Sequence, residues 1–263
     1  MAELGPLLGR GYIAEVFAYG EGKAIKLFFD EDSEQDAKLE ARVTNAALEC
    51  GIVVPRVWDV VKVNGRAGIV MERIEGESML EWGTVFPWRI YTGAKMMARM
   101  HTDMHSKTSE QMPDLRDKLR NGIENAEGVS EDVRVRALER LAGLPDGDSI
   151  CHGDFHPDNI MMSKAGPVII DWQDGVIGRP SADIARTVVL VESGVPLVGV
   201  IRRAVVGVAR NIFLSLYLKE YFKMTGMTWD EVSPWMLPVA VNYTNALFPE
   251  MVEDHLSYMQ RYV

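Results

Sequence analysis

The segment Cys151-His152-Gly153-Asp154-Phe155-His156-Pro157-Asp158-Asn159-Ile160 carries an aspartate and an asparagine five positions apart, in a stretch broken by Gly153 and Pro157. A second aspartate, Asp171, ends the apolar run Val168-Ile169-Ile170 twelve positions after Asn159. Two carboxylates and an amide oxygen on loops are the parts that phosphoryl transfer needs. Little covalent chemistry is required of the protein, and catalysis comes from positioning and from neutralising phosphate charge. One carboxylate must face the nucleophilic hydroxyl. Another, with an amide oxygen, must hold magnesium, a hard cation that takes oxygen ligands.

His152-Gly153-Asp154-x-x-x-x-Asn159 and Asp171-Trp172 resemble the catalytic and metal-binding loops of the aminoglycoside phosphotransferase family, relatives of the protein kinases. The protein-kinase order is H-R-D-x-x-x-x-N followed by D-F-G, and Gly153 and Trp172 favour the small-molecule branch. The resemblance implies that Asp154 is the catalytic base or orients the substrate hydroxyl, that Asn159 and Asp171 bind Mg²⁺, and that His152 braces the loop. His156 and Asp158 shape that loop rather than react. Gly178-Arg179-Pro180-Ser181-Ala182-Asp183-Ile184-Ala185 matches the family's G-x-P-x-x-D-x-A pattern, which gives Asp183 a bracing role.

The first part of the chain supplies a nucleotide site of the same kind. Gly9-Arg10-Gly11-Tyr12-Ile13-Ala14 resembles the kinase glycine-rich loop, with Ala14 where a third glycine is usual. Along a following strand, Ala24 and Lys26 share one face; the small Ala24 leaves room for a purine and Lys26 can reach the α- and β-phosphates. The resemblance assigns Glu40 as the ion-pair partner of Lys26. Met71-Glu72-Arg73-Ile74 resembles the hinge that binds an adenine edge through the Glu72 carbonyl and the Ile74 amide, with Met71 flanking the pocket. The implied nucleotide is ATP, with GTP as the alternative.

These residues need elements to carry them. Glu15 to Tyr19 and Ala24 to Phe29 read as strands joined at Gly20-Glu21-Gly22, and Val60 to Val63 and Arg66 to Met71 as strands flanking Asn64-Gly65, a dipeptide suited to positive φ. Ser33 is placed to cap a helix over 34–50, stopped by Gly51, with Leu39, Val43, Ala46 and Ala47 on its buried stripe. Further helices are expected over 88–105, 131–141, 202–225 and 238–262, the last broken at Pro249, and the apolar stretch 187–208 reads as buried helix. The expected fold is α+β and protein-kinase-like: a small antiparallel-sheet lobe with one helix, residues 1–75 including the hinge, and a larger, mainly helical lobe, residues 76–263, bearing the catalytic and metal-binding loops.

Composition narrows the partners. With 263 residues and 47% hydrophobic content the chain can bury one large core or two modest ones. A net charge of −10 and scattered Lys and Arg argue against nucleic acid. Charged residues and Pro196 interrupt the apolar stretch short of a membrane span, and Cys50 and Cys151, far apart, point to a reducing compartment, so cytoplasm is expected. His101 and His105 stand at i and i+4, a zinc-compatible spacing without an evident third ligand. Only eleven residues separate Asp171 from Asp183 and no Ala-Pro-Glu follows, too little for a peptide platform, so a small-molecule hydroxyl is the expected acceptor rather than a protein. Glu250, Glu253 and Asp254 would suit a polycationic acceptor only if their helix lined the cleft, and otherwise form a solvated face.

Overall fold

In the computed structural model, residues 3–193, 200–247 and 249–263 are described. Strands β1 (Leu7–Arg10), β2 (Ala14–Ala18), β3 (Lys23–Phe28), β4 (Val57–Val63) and β5 (Arg66–Glu72) form an antiparallel sheet in the order β1-β2-β3-β5-β4. Helix α1 (Glu34–Glu49) crosses from β3 to β4 and covers one face. Period-two alternation sorts β3: Phe28 packs with Ala37 and Ala41 of α1, whereas Ile25 and Leu27 pack with Val70 on the opposite face. Asn64 (φ 52°) and Gly65 (φ 85°) make the tight β4–β5 turn in the left-handed region, as the dipeptide predicts.

Gly51 (φ 78°) ends α1, and the Ile52 amide closes back on the Ala47 carbonyl at 3.0 Å. The other end differs from expectation. Ser33 makes no side-chain cap bond, because its φ −73°, ψ 19° is not the extended conformation that aims a hydroxyl at the following amides.

The second part is mainly helical. After β6 (Gly76–Ser78) come α2 (Met79–Thr84), α3 (Pro87–His105), α4 (Leu115–Glu124) and α5 (Glu131–Ala142), then β7 (Ser149–Cys151), the hairpin β8 (Ile160–Ser163) and β9 (Gly166–Ile169), and β10 (Val176–Gly178). Helices α6 (Pro180–Ser193), α7 (Val200–Thr225), α8 (Trp229–Val232), α9 (Met236–Tyr243) and α10 (Pro249–Met259) complete the chain. The apolar stretch 187–208 is divided between α6 and α7, with Pro196 outside the described residues. The helical region 238–262 is interrupted next to Pro249, as expected: the chain leaves α9 through a 3₁₀ turn at Thr244–Ala246, and Pro249 then opens α10. α3 lies along α7, and the large core beneath includes Met97, Met104, Phe155, Trp172, Tyr217 and Tyr221. No helix among the described residues is long and apolar enough to cross a membrane.

Candidate active site

The β8–β9 hairpin brings the two loops together. Ile160 opens β8 opposite Ile169 near the end of β9, so Asn159 and Asp171 emerge at the same end, joined by an Ile170 amide to Asn159 carbonyl bond of 3.0 Å. Asp171 sits at φ 63°, ψ 65°, a left-handed backbone that a non-glycine residue adopts at a cost of about 1–3 kcal/mol. The following Trp172 is fully buried, donating its indole N–H to Ile169 O at 3.2 Å and lying against His152. That anchor fixes the turn from which the Asp171 carboxylate projects.

From the sheet, Lys26 reaches down to the same place. Its Nζ lies 2.9 Å from both oxygens of Glu40 and 2.8 Å from Asp171 Oδ1. Glu40 faces inward from the middle of α1 and is buried, whereas Glu49 bonds Gln111 elsewhere. The partners differ in how burial acts. Burial lifts Glu40 to about 7 even against Lys26. At Lys26 burial is outweighed by two carboxylates, Glu40 and Asp171, which carry it well above its ordinary range, so the ammonium is the secure charge of the pair.

The Asp154 loop is held from several sides. Gly153 (φ 75°) is tightly packed against the Asp174 backbone, and a Cβ there would collide with the Asp174 carbonyl oxygen. His152 is buried, which lowers its pKa; its Nε2–H donates to Ile170 O at 3.0 Å while Nδ1 accepts the Asp154 amide at 3.2 Å. Asp183 accepts the amides of His152 (2.8 Å) and Gly153 (2.9 Å). The same carboxylate meets His101 Nε2 at 2.9 Å and His105 Nε2 at 3.2 Å, and the far ring nitrogens of these histidines meet the hydroxyls of Tyr217 (2.6 Å) and Tyr221 (2.7 Å) on α7. Asp183 is thus the third group near the histidine pair that the sequence left without one, and its oxygens are engaged as a brace for the loop.

Asn159 Nδ2 donates to Asp154 twice, to the carbonyl at 2.8 Å and to Oδ2 at 2.9 Å, which leaves the Asn159 amide oxygen for another partner. Asp171 Oδ1 serves Lys26, and its side chain is 43% exposed, so an oxygen remains open to the cleft. These free atoms are hard oxygen donors, the set that fits Mg²⁺. His156 Nε2 lies 3.4 Å from Asp154 Oδ2, and Arg186 Nη2 lies 3.8 Å from Oδ1. Burial works to raise Asp154, but the hydrogen bond and charge of the adjacent His156, with the Arg186 guanidinium, outweigh it and hold the carboxyl well below the usual range. Neither was singled out for chemistry from the sequence; the only hints were the cationic residue types beside recognisable motifs.

The remaining nucleotide-site residues fall around the sheet. A Cβ at Gly9 would meet nothing within 4 Å, and at Gly11 only the Ala14 carbonyl oxygen at 3.7 Å. The protein itself therefore leaves this strip of backbone open for close approach by a ligand. Ala14, the departure from the glycine pattern, turns its methyl into the cluster with Phe28 and Ala37. Ala24 is buried opposite Met71 on β5, and Met71 is half-buried against the α1-side cluster. The Glu72 amide is bonded to Arg56 O at 2.8 Å and the Arg73 amide to Gly22 O at 3.1 Å, with Ile74 next in the connector to β6.

A five-stranded sheet with one helix, set over a helical part whose His-Gly-Asp loop faces a lysine–glutamate pair, defines a protein-kinase-like fold. The chain belongs to the phosphotransferase enzyme family, whose family model matches residues 6–210. No curated protein sequence matches the chain. Among solved structures it is similar to a thermostable mutant of aminoglycoside phosphotransferase APH(4)-Ia in its apo form (TM-score 0.67, 14% identity, covering 99% of this chain and 92% of that one). It is also similar to the aminoglycoside-3'-phosphotransferase of type VIII (TM-score 0.61, 18% identity, 90% and 92% covered). The GDP and kanamycin complex of an APH(2") enzyme is a further match (TM-score 0.58, 14% identity, 98% and 92% covered). At these identities the likeness concerns the fold.

Proposed function

We propose that the protein transfers the γ-phosphate of ATP to a hydroxyl group of a small molecule. The observation that carries this reading is the junction at Asp171: Lys26 of β3, paired with Glu40 of α1, bonds its carboxylate, and the adjoining Ile170 amide ties this turn to Asn159, which in turn holds Asp154. A fixed ammonium beside two oxygen donors and a separately held carboxylate suits a triphosphate on one side and an acceptor hydroxyl on the other.

In this reading Gly9 and Gly11 cover the phosphates, Ala24, Met71 and the Glu72–Ile74 backbone bound the adenine, and Lys26 grips the α- and β-phosphates. Asn159 and Asp171 would hold Mg²⁺, which when bound neutralises phosphate charge. A carboxylate as acidic as Asp154 is a weak equilibrium base. Its work is therefore to accept the hydroxyl's hydrogen bond and align the oxygen with phosphorus, taking the proton once P–O bond formation has made that hydroxyl acidic. The division into lobes after residue 75 is supported by β6, which pairs with β8 of the helical part.

An aminoglycoside is one acceptor class, since a thermostable mutant of the similar aminoglycoside phosphotransferase APH(4)-Ia is seen in a ternary complex with ADP and hygromycin B. Choline-like, amino-acid, sugar and macrolide hydroxyls are the alternatives within the same chemistry, and GTP is the alternative donor. Glu253 and Asp254 are exposed on α10, and the Glu250 side chain lies outside the described residues. The test is a thermal-shift panel of antibiotics and hydroxylated metabolites with Mg²⁺ and AMP-PNP, followed by ADP-release assays on the hits. Stabilisation by the nucleotide and acceptor-dependent ADP release are expected; neither appearing with any acceptor, with ATP or GTP, would refute the reading.

A further inference from the structure

Arg186, one turn along α6 from Asp183, is nine-tenths buried beside the Asp154 loop. Its Nε donates to the Gly153 carbonyl at 2.8 Å, its Nη2 lies 3.8 Å from Asp154 Oδ1, and its Cζ lies 4.2 Å from the ring centroid of Tyr243 at the end of α9. Nη1 is buried with no hydrogen-bond partner among the described residues.

We propose that Arg186 is a positioning residue for phosphoryl transfer, fixing the direction of the Asp154 carboxylate from the side opposite Asn159, with the Tyr243 ring holding the guanidinium flat. This rests on the proposed role of Asp154. Asn159 holds Oδ2 and the Asp154 carbonyl, and His156 also approaches Oδ2, but both act on the same oxygen and leave Oδ1 unrestrained. Arg186 supplies the constraint on the other oxygen from α6, bonding the preceding carbonyl and facing Oδ1 in one rigid plane. A lysine cannot reproduce this, because one ammonium on a flexible stem has neither the planar fork nor the ring-stacking face. The chain thereby couples α9, at the far side of the loop, to the orientation of the reacting group.

The test compares Arg186→Met, Arg186→Lys, Tyr243→Phe and Tyr243→Leu with wild type and Asp154→Ala. ADP release from ATP and magnesium chloride is followed with kanamycin, hygromycin B or water as acceptor, alongside amide hydrogen exchange of residues 151–159. Arg186→Met is expected to lose on the order of 10²-fold in kcat, the scale of a misplaced catalytic group, with unchanged KM for ATP and faster exchange in the loop. Arg186→Lys recovers part of the loss, Tyr243→Phe behaves as wild type, and Tyr243→Leu falls between. Wild-type kcat in Arg186→Met, or a raised KM for ATP at constant kcat, overturns the proposal. Equal ADP release by wild type and Asp154→Ala with every acceptor counts against the transferase reading instead, and loop exchange then decides: unchanged exchange in Arg186→Met overturns the positioning role too.

Discussion

Each proposed reacting side chain is restrained by more than one neighbour, so single substitutions have separable consequences. Asp154→Ala should reduce transfer by on the order of 10²–10⁴-fold if it orients and deprotonates the acceptor, with the fold kept, as read by initial rates and circular dichroism. Gly153→Ala acts differently: a φ of 75° and the adjacent Asp174 carbonyl leave no room for a methyl. It should destabilise by about 1–3 kcal/mol in urea melts and displace the loop, lowering activity as well. Lys26→Met leaves Glu40 buried without its cation. An acid whose folded pKa is raised gives its full stability below its unfolded pKa and loses it as pH climbs through the folded value, here about 7 or higher without the lysine. The variant should therefore be most destabilised, relative to wild type, on the alkaline side of neutrality, and a penalty independent of pH would contradict the buried-pair account.

Among the elements, the brace around Asp183 is the feature with the clearest pH consequence. Burial depresses His101 to about 3, with His105 adding to the effect against the pull of Asp183. The unfolded chain takes up this proton below about 6.5, while the folded protein refuses it until about 3. Stability carried by the neutral ring is thus present above about 6.5 and lost at roughly 1.4 kcal/mol per pH unit as pH falls toward 3. Thermal melts between these limits should show that slope flattened in His101→Asn, and an unchanged slope would exclude His101 as its source.

This brace also marks what the sequence could show. Asp183 was readable because a short motif encodes it, and the β4–β5 turn because Asn64-Gly65 fixes its own dihedrals. Tyr217 and Tyr221 were not, since their partners lie 116 residues away and nothing in helical periodicity distinguishes a tyrosine that packs from one that also bonds a buried histidine. Ser33 failed as a cap for a local reason, its backbone dihedrals, to which residue type is only a guide. Helix α4 has no counterpart among the helices expected from the sequence, although Asp114 caps it through the Asp117 amide at 3.0 Å, because its apolar face is sparse: Leu115, Leu119 and Ile123.

For the whole molecule, the account depends on the sheet and the helical part meeting where Lys26 touches Asp171. A nucleotide bound there would contact both, so it should stabilise the chain as one unit: AMP-PNP with Mg²⁺ at about 100 times its Kd should add about 2.7 kcal/mol, with less gain for Asp171→Ala. The most direct test follows ATP labelled in its γ-phosphate, incubated with Mg²⁺, wild-type protein and the acceptors that pass the thermal-shift panel. Label should move to an acceptor hydroxyl with wild type and drop sharply with Asp154→Ala. Label that never leaves ATP, or that transfers equally in both proteins, would contradict the site described above.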